Sequence, residues 1–422
     1  MAKIYHADLW GSREDKYRYL QENDINTVEW TELTPEAPFY MFIPQNTDCR
    51  TEYQSNWKIT DIFPINNVSI MTARDSLTIQ WSRDGIWSLV NDFAALSSEE
   101  ARSKYSLGKD TRDWLVINAQ KDLKELGLSE QKLAPILYRP FDIRHTYYTG
   151  KWKGFHSLPR WDVMQHILME DNIGLIANRQ VRLESIQHFL VSDVLVERHI
   201  LETANASAYF FPLYVYCLDV RGTLFDFANL SSISTQRRSN LSKEVIEDIT
   251  SKLGYIPTPE AIFYYIYAIF HSPTYRQRYA EFLKIDFPRV PLTSSDQLFK
   301  DLGVKGQALV DLHLMKSKKL NKLITKMGGD GDNAVTEVTY KPTEQRVYIN
   351  KSRYFEGIAA DVWEFKIGGY QVLDKWLKDR KKAKRTLSFD DVLHYQKVVV
   401  ALKETMQLMQ EIDQLIPSFP IE

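Results

Sequence analysis

Cysteine is nearly absent from this chain: Cys49 and Cys217 are the only two in 422 residues, and neither has a partner at metal-ligand spacing. They read as buried thiols in a reducing compartment, so a cytoplasmic location is expected and disulfides are not needed at this length. No window approaches the roughly 20 apolar residues a membrane helix requires, and no secretory signal is legible at the start, so no membrane partner is expected. Excess charge is missing too. At a net charge of -2 the chain lacks the overall basic footprint of a small nucleic-acid-binding domain, so any face for a polyanion must be local. The phosphate-cradling Gly-x-x-x-x-Gly-Lys-Ser/Thr loop and the dinucleotide Gly-x-Gly-x-x-Gly are both wanting, and the glycines at Gly328, Gly329 and Gly331 have neither flank of such a loop. There is no His-Glu-x-x-His and no Cys/His cluster, and the nine histidines are scattered, so no metal or cofactor is expected in this chain.

Aromatic residues, by contrast, are plentiful at 13%, with 23 tyrosines. They crowd between Tyr138 and Arg182, interleaved with cations and amides: Tyr138-Arg139-Pro140-Phe141-Asp142-Ile143-Arg144, Tyr147-Tyr148, Lys151-Trp152-Lys153, Phe155-His156, Arg160-Trp161 and Asn178-Arg179-Gln180-Val181-Arg182. Phosphates take Lys and Arg, base edges take Arg, Gln and Asn, and exposed bases stack on rings, so this mixture suits a DNA-reading surface. An aromatic core segment with solvated charges is the plain alternative. The DNA reading nominates Arg144, Lys151, Lys153, Arg160, Arg179, Gln180 and Arg182. It adds Gln236, Arg237 and Arg238 at the tip of a Ser-rich exposed loop (231–240), and Lys381 and Lys382 in a basic block. Arg144, Lys151, Lys153, Arg237 and Arg238 are expected to line one cleft. Arg179 and Gln180 offer bidentate pairs to guanine and adenine, unless Arg179 is held by an internal carboxylate such as Asp142 or Asp193.

Along the chain, residues 3–9 read as a strand, 13–20 as a charged helix, and the proline-punctuated 30–44 as a strand at a sheet margin. An opening in mid-sheet suggests the tail of a domain that begins elsewhere. Residues 89–133 read as a helical connector, with Thr111 as N-cap, a stripe of Trp114, Ile117, Leu123 and Leu126, and Gly127 as terminator. The segments 173–177, 188–196 and 209–218 read as strands. Thr258-Pro259 and Ser272-Pro273 start two helices, and 305–316 is a third. The glycine-rich turn is expected to close a hairpin between 316–326 and 335–340, and Ser388 with Asp391 opens a long final helix. A catalytic alternative rests on Glu364-Phe365-Lys366: Glu-x-Lys on a strand is how many nucleases hold a cation and position water. An amphipathic strand with Trp363 and Phe365 inward explains the same residues.

Several of these motifs, taken in order, resemble the C-terminal specificity region of Type ISP restriction-modification enzymes and related fused adenine methyltransferases. They are the Tyr138–Arg144 run, Val163-Met164 with His166, Asn178-Arg179-Gln180, Phe211-Pro212-Leu213-Tyr214, His271-Ser272-Pro273-Thr274-Tyr275-Arg276, Phe287-Pro288-Arg289-Val290-Pro291, Leu312-His313-Leu314 and Ile367-Gly368-Gly369-Tyr370. The resemblance implies a mixed α+β fold: closing strands of a methyltransferase-like sheet (1–60), a helical connector (61–135), a target recognition domain (136–390) and a packing helix (391–422). It implies double-stranded DNA as partner, together with methyltransferase, nuclease and translocase domains upstream or in trans. The Asn-Pro-Pro-Tyr-like motif and the Gly-containing S-adenosylmethionine loop of such methyltransferases are missing, so that cofactor is expected in the partner portion and methylation by this chain alone is not.

Overall fold

The computed structural model describes residues 2–421, apart from 38–39, 45–47, 126, 170, 182–186, 202–205 and 219–234. The fold is mixed α+β, in two units, Met1–Thr51 and Glu52–Glu422. In the first, Ile4–His6 pairs antiparallel with Thr31–Leu33, and between them the helix Arg13–Glu22 starts at Ser12, whose hydroxyl accepts from the Asp15 amide. Among the described residues of the 30–44 segment only these three are paired, and Pro35 and Pro44 have no N–H to give a ladder.

In the second unit, the segment expected to be helical (89–133) holds the helices Arg83–Ala95, which starts earlier than expected, Ser98–Lys104 and Val116–Glu125. They close over a core containing Phe93, Trp114, Tyr147 and Phe155. Thr111 is not a helix cap: it forms a tight turn with Trp114, and the Asp110 carboxylate accepts the Val116 N–H instead. Ile117 faces solvent rather than completing the stripe, and Leu126 lies outside the described residues. Gly127, at φ +64°, follows the helix as its terminator.

Two four-stranded sheets follow. The first runs Leu195–Val196, Leu133–Arg139, Asp142–Tyr147, Ile79–Gln80, with only the first pair parallel. The second runs Asn67–Val68, Ala208–Pro212, Gly174–Asn178, Phe189–Ser192, all antiparallel. Gly174–Asn178 is buried on both faces, and a Cβ at Gly174 would lie 2.1 Å from the Phe210 ring. The 209–218 segment is two strands, not one. It breaks at Leu213, and Tyr214–Leu218 leaves to form a ribbon with Thr235–Ser239.

Three helices pack together behind these sheets: Pro259–His271, Asp296–His313 and Phe389–Leu415. Thr258, Ser272 and Ser388 cap as expected, the last in a capping box with Asp391. His313 threads the trio, its Nδ1 2.5 Å from the Tyr267 hydroxyl and its Nε2 3.0 Å from Thr405 Oγ1. The hairpin expected around Gly328 does not form. Lys326–Gly328 pairs with Tyr354–Glu356, and Thr339–Lys341 pairs with Arg346–Tyr348, in one four-stranded sheet. The glycines serve a different contact: a Cβ at Gly329 would lie 1.8 Å from the Ser352 carbonyl oxygen, so the two turns dock on each other. Among the described residues no helix is long and apolar enough to cross a membrane.

Candidate nucleic-acid interface

The Tyr138–Arg144 run forms the turn of a hairpin, Leu133–Arg139 with Asp142–Tyr147, in which Arg139 sits opposite Asp142. Phe141 takes φ +59°, a left-handed conformation that costs a residue with a Cβ about 1–2 kcal/mol. Burial of its ring and a 2.7 Å hydrogen bond from His394 Nε2 to its carbonyl offset that cost. The cations of the run turn inward. Arg144, expected to line a cleft, is 8% exposed: it pairs with Asp142 at 2.8 Å and Asp379 at 3.5 Å, its guanidinium 3.7 Å from the Trp81 ring centroid and 4.1 Å from that of Tyr138. Arg380 reaches the other carboxylate oxygen of Asp142 at 3.0 Å while lying on Trp376, and Arg139 pairs with buried Glu197 at 2.7 Å. Burial pushes the Asp142 carboxyl up, but the Arg380 and Arg144 guanidiniums outweigh it and hold it below the usual carboxylate range. This interleaving of rings and cations is therefore an internal clasp between the hairpin and the C-terminal helices. Sequence reading did not single out Trp81, Asp379 or Arg380 as its members.

The cations that do reach the surface lie on separate elements. Lys151-Trp152-Lys153 occupies a tight turn, with the Lys151 ammonium 2.5 Å from Glu125 and the Lys153 ammonium 3.2 Å from the Arg112 carbonyl. Arg160, at φ +58°, precedes the helix Trp161–Leu168, and its Nε is buried without a hydrogen-bond partner. Gln236, Arg237 and Arg238 are exposed as expected, yet on the Thr235–Ser239 strand rather than at a loop tip. There Arg237 lies 3.5 Å from the Tyr214 ring centroid and 3.4 Å from Glu260. Lys381 and Lys382 are exposed at the end of the helix Val372–Lys382, and the same helix turns Arg380 inward.

Arg179 and Gln180 emerge just past the buried strand, as expected. Arg179 is held, but by Asp286 at 2.9 Å rather than by Asp142 or Asp193, and the Gln180 amide donates to the Ile285 carbonyl at 2.9 Å. Both are therefore seated on the 285–286 segment. Arg182 lies outside the described residues.

The Glu-x-Lys pattern does not occupy one strand. Glu364 closes the short helix Ala360–Glu364 and Lys366 opens the strand Lys366–Ile367, while Trp363 and Phe365 point inward. Among the described residues no group of three or more His, Cys, Asp or Glu side chains could hold a metal ion.

The described residues thus form a mixed α+β body with an internal ion-aromatic clasp and surface cations on several elements. The family is explicit: residues 61–411 match the Type ISP C-terminal specificity domain, and the chain belongs to that family. Three solved structures share the fold at 18% identity. The DrdV–DNA complex gives a TM-score of 0.73 over 97% of this chain. A nuclease-deletion mutant of the Type ISP enzyme LlaGI with a DNA substrate mimic gives 0.69 over 100%, and the ATP-dependent Type ISP enzyme LlaBIII bound to DNA gives 0.68 over 93%. This chain spans 43%, 33% and 26% of those chains, respectively. Comparison with curated proteins yields no match.

Proposed function

We propose that this chain is the part of a Type ISP-like restriction-modification system that reads a DNA target and presents it to methyltransferase, nuclease and translocase domains outside the chain. The observation that carries the reading is the specificity-domain match across residues 61–411. Two further facts support it. The three fold neighbours are described with DNA, and exposed Gln236, Arg237 and Arg238 stand along a paired strand and Lys381 and Lys382 at a helix end, regular elements on which a recognition surface is best held. Adenine N6 methylation and S-adenosylmethionine belong, on this reading, to the partner portion. Cleavage through Glu364 and Lys366 has no geometric support, since the two residues belong to different elements.

Fluorescence anisotropy with labelled duplex DNA tests the reading. Affinity should fall steeply with salt, because each neutralised phosphate contributes about 0.9 to the slope of log K against log salt. Replacing Lys151 and Lys153 by Ala should flatten that slope by about one to two. An unchanged slope would remove both lysines from the interface, and no binding at low salt would sink the proposal itself.

A further inference from the structure

Trp152 is 66% exposed, although an indole is among the most costly side chains to leave in water. Its backbone is nonetheless tightly built. The Lys153 amide donates to the Ser157 carbonyl at 3.0 Å, the Gly154 amide to the Lys151 carbonyl at 3.2 Å, and the Lys151 amide to Thr149 Oγ1 at 3.3 Å. Two close approaches lock the turn from below. A Cβ at Gly150, which sits at φ +73°, would lie 2.6 Å from the Trp161 ring, and a Cβ at Gly154 would lie 2.2 Å from Asp122 Oδ2. That carboxylate accepts from Thr149 Oγ1 at 2.7 Å and from the Phe155 amide at 2.8 Å, holding both ends of the turn. The exposed ring is thus projected by a stiff base.

Cations and exposed carboxylates surround it. The Lys153 ammonium stands 4.8 Å from the Trp152 ring centroid, Lys151 in the same turn pairs with Glu125 at 2.5 Å, and Arg112, which gives its carbonyl to Lys153, pairs with Asp113 at 3.3 Å, so a phosphate would replace those carboxylates on Lys151 and Arg112. A rigid aromatic with one face under a cation, ringed by groups that take phosphate, matches the way proteins stack an unstacked base while neutralising its backbone. A protein-binding surface would instead be depleted in lysine around such a ring. Resting on the proposed DNA reading, we infer that Trp152 stacks on a base unstacked from the duplex, with Lys151, Lys153 and Arg112 engaging the flanking phosphates.

The test compares a fully paired duplex with the same duplex carrying a one-nucleotide bulge, using the full chain at fixed salt. The wild type should prefer the bulged duplex, because its base is already unstacked. Trp152→Ala should lose about ten- to one-hundredfold on the bulged duplex and lose the preference, while Trp152→Phe keeps most of it. The salt slope of Trp152→Ala should equal that of the wild type, since no phosphate contact is removed. If wild type and Trp152→Ala bind both duplexes equally well, the stacking role is wrong and the DNA reading stands. A slope that flattens in Trp152→Ala would make Trp152 a mere shaper of the lysine turn, which also overturns the inference. Wild type that binds neither duplex at low salt overturns both readings together.

Discussion

Asp142→Asn should destabilise the protein by about 3–5 kcal/mol, the range seen when one partner of a buried ion pair is removed and the other is left uncompensated. Asp142 is the only described carboxylate that reaches both Arg144 and Arg380 through hydrogen bonds, and all three side chains are buried. Asparagine keeps the shape and some hydrogen bonding but removes the charge. Arg144 retains Asp379 at 3.5 Å, whereas Arg380 keeps the Trp376 and Trp81 rings, the Trp376 carbonyl and the attraction of Asp391, with no direct carboxylate hydrogen bond among the described residues. Chemical denaturation measures the loss, and a variant within about 1 kcal/mol of wild type would show that the clasp contributes little. The pH dependence has a definite sign. The folded Asp142 carboxyl is held below its ordinary value, near 3.9, so its stabilisation is present above that value and is lost as pH falls through the lower folded one. The gap between wild type and Asp142→Asn should therefore be widest near neutral pH and narrow in acid.

Gly306→Ala and Gly303→Ala should have opposite effects, although they lie on the same helix, Asp296–His313. Alanine ordinarily exceeds glycine in a helix interior by about 1 kcal/mol. At Gly303 a Cβ would meet nothing within 4 Å, so a gain of about 0.5–1 kcal/mol is expected there. At Gly306 the Cβ would lie 1.8 Å from the Tyr264 carbonyl oxygen and 2.6 Å from its carbon. Backbone cannot swing aside like a side chain, so the Pro259–His271 helix must retreat and the His313 thread to Tyr267 and Thr405 must stretch. Overpacking of this kind costs about 1–3 kcal/mol or more, which exceeds the propensity gain. Thermal unfolding of the two variants beside wild type checks the sign of each. A rise in midpoint for Gly306→Ala would mean the helices can separate freely.

What was legible in the sequence was mostly local chemistry. Thr258-Pro259, Ser272-Pro273 and the Ser388–Asp391 box each mark a helix start with a side chain only a few residues from the amide it serves, and all are present. The fold and family followed from motif order, which survives where individual contacts do not. The destination of the arginines was not legible. Arg380 meets Asp142 across a separation of 238 residues, and nothing near Arg144 in the chain announces Asp379 or Trp81. An Arg beside rings looks the same whether it faces a phosphate or an internal carboxylate. The strand Gly174–Asn178, by contrast, was legible as the short apolar run 173–177, and both its faces are buried. The glycine turn at Gly328 misled as the arginines did, since its small residues serve docking of a distant turn rather than pairing of its own arms.

Because the clasp spends its arginines internally, the groups that face outward, Trp152, Gln236, Arg238, Lys381 and Lys382, carry little of its energy. The molecule thus has two separately mutable layers. A library randomised at those outward positions should return mostly soluble variants, while one randomised across Tyr138–Arg144 should return mostly insoluble ones. Changes of preference can then accumulate on the outer layer without first requiring a compensating change in the chassis beneath it.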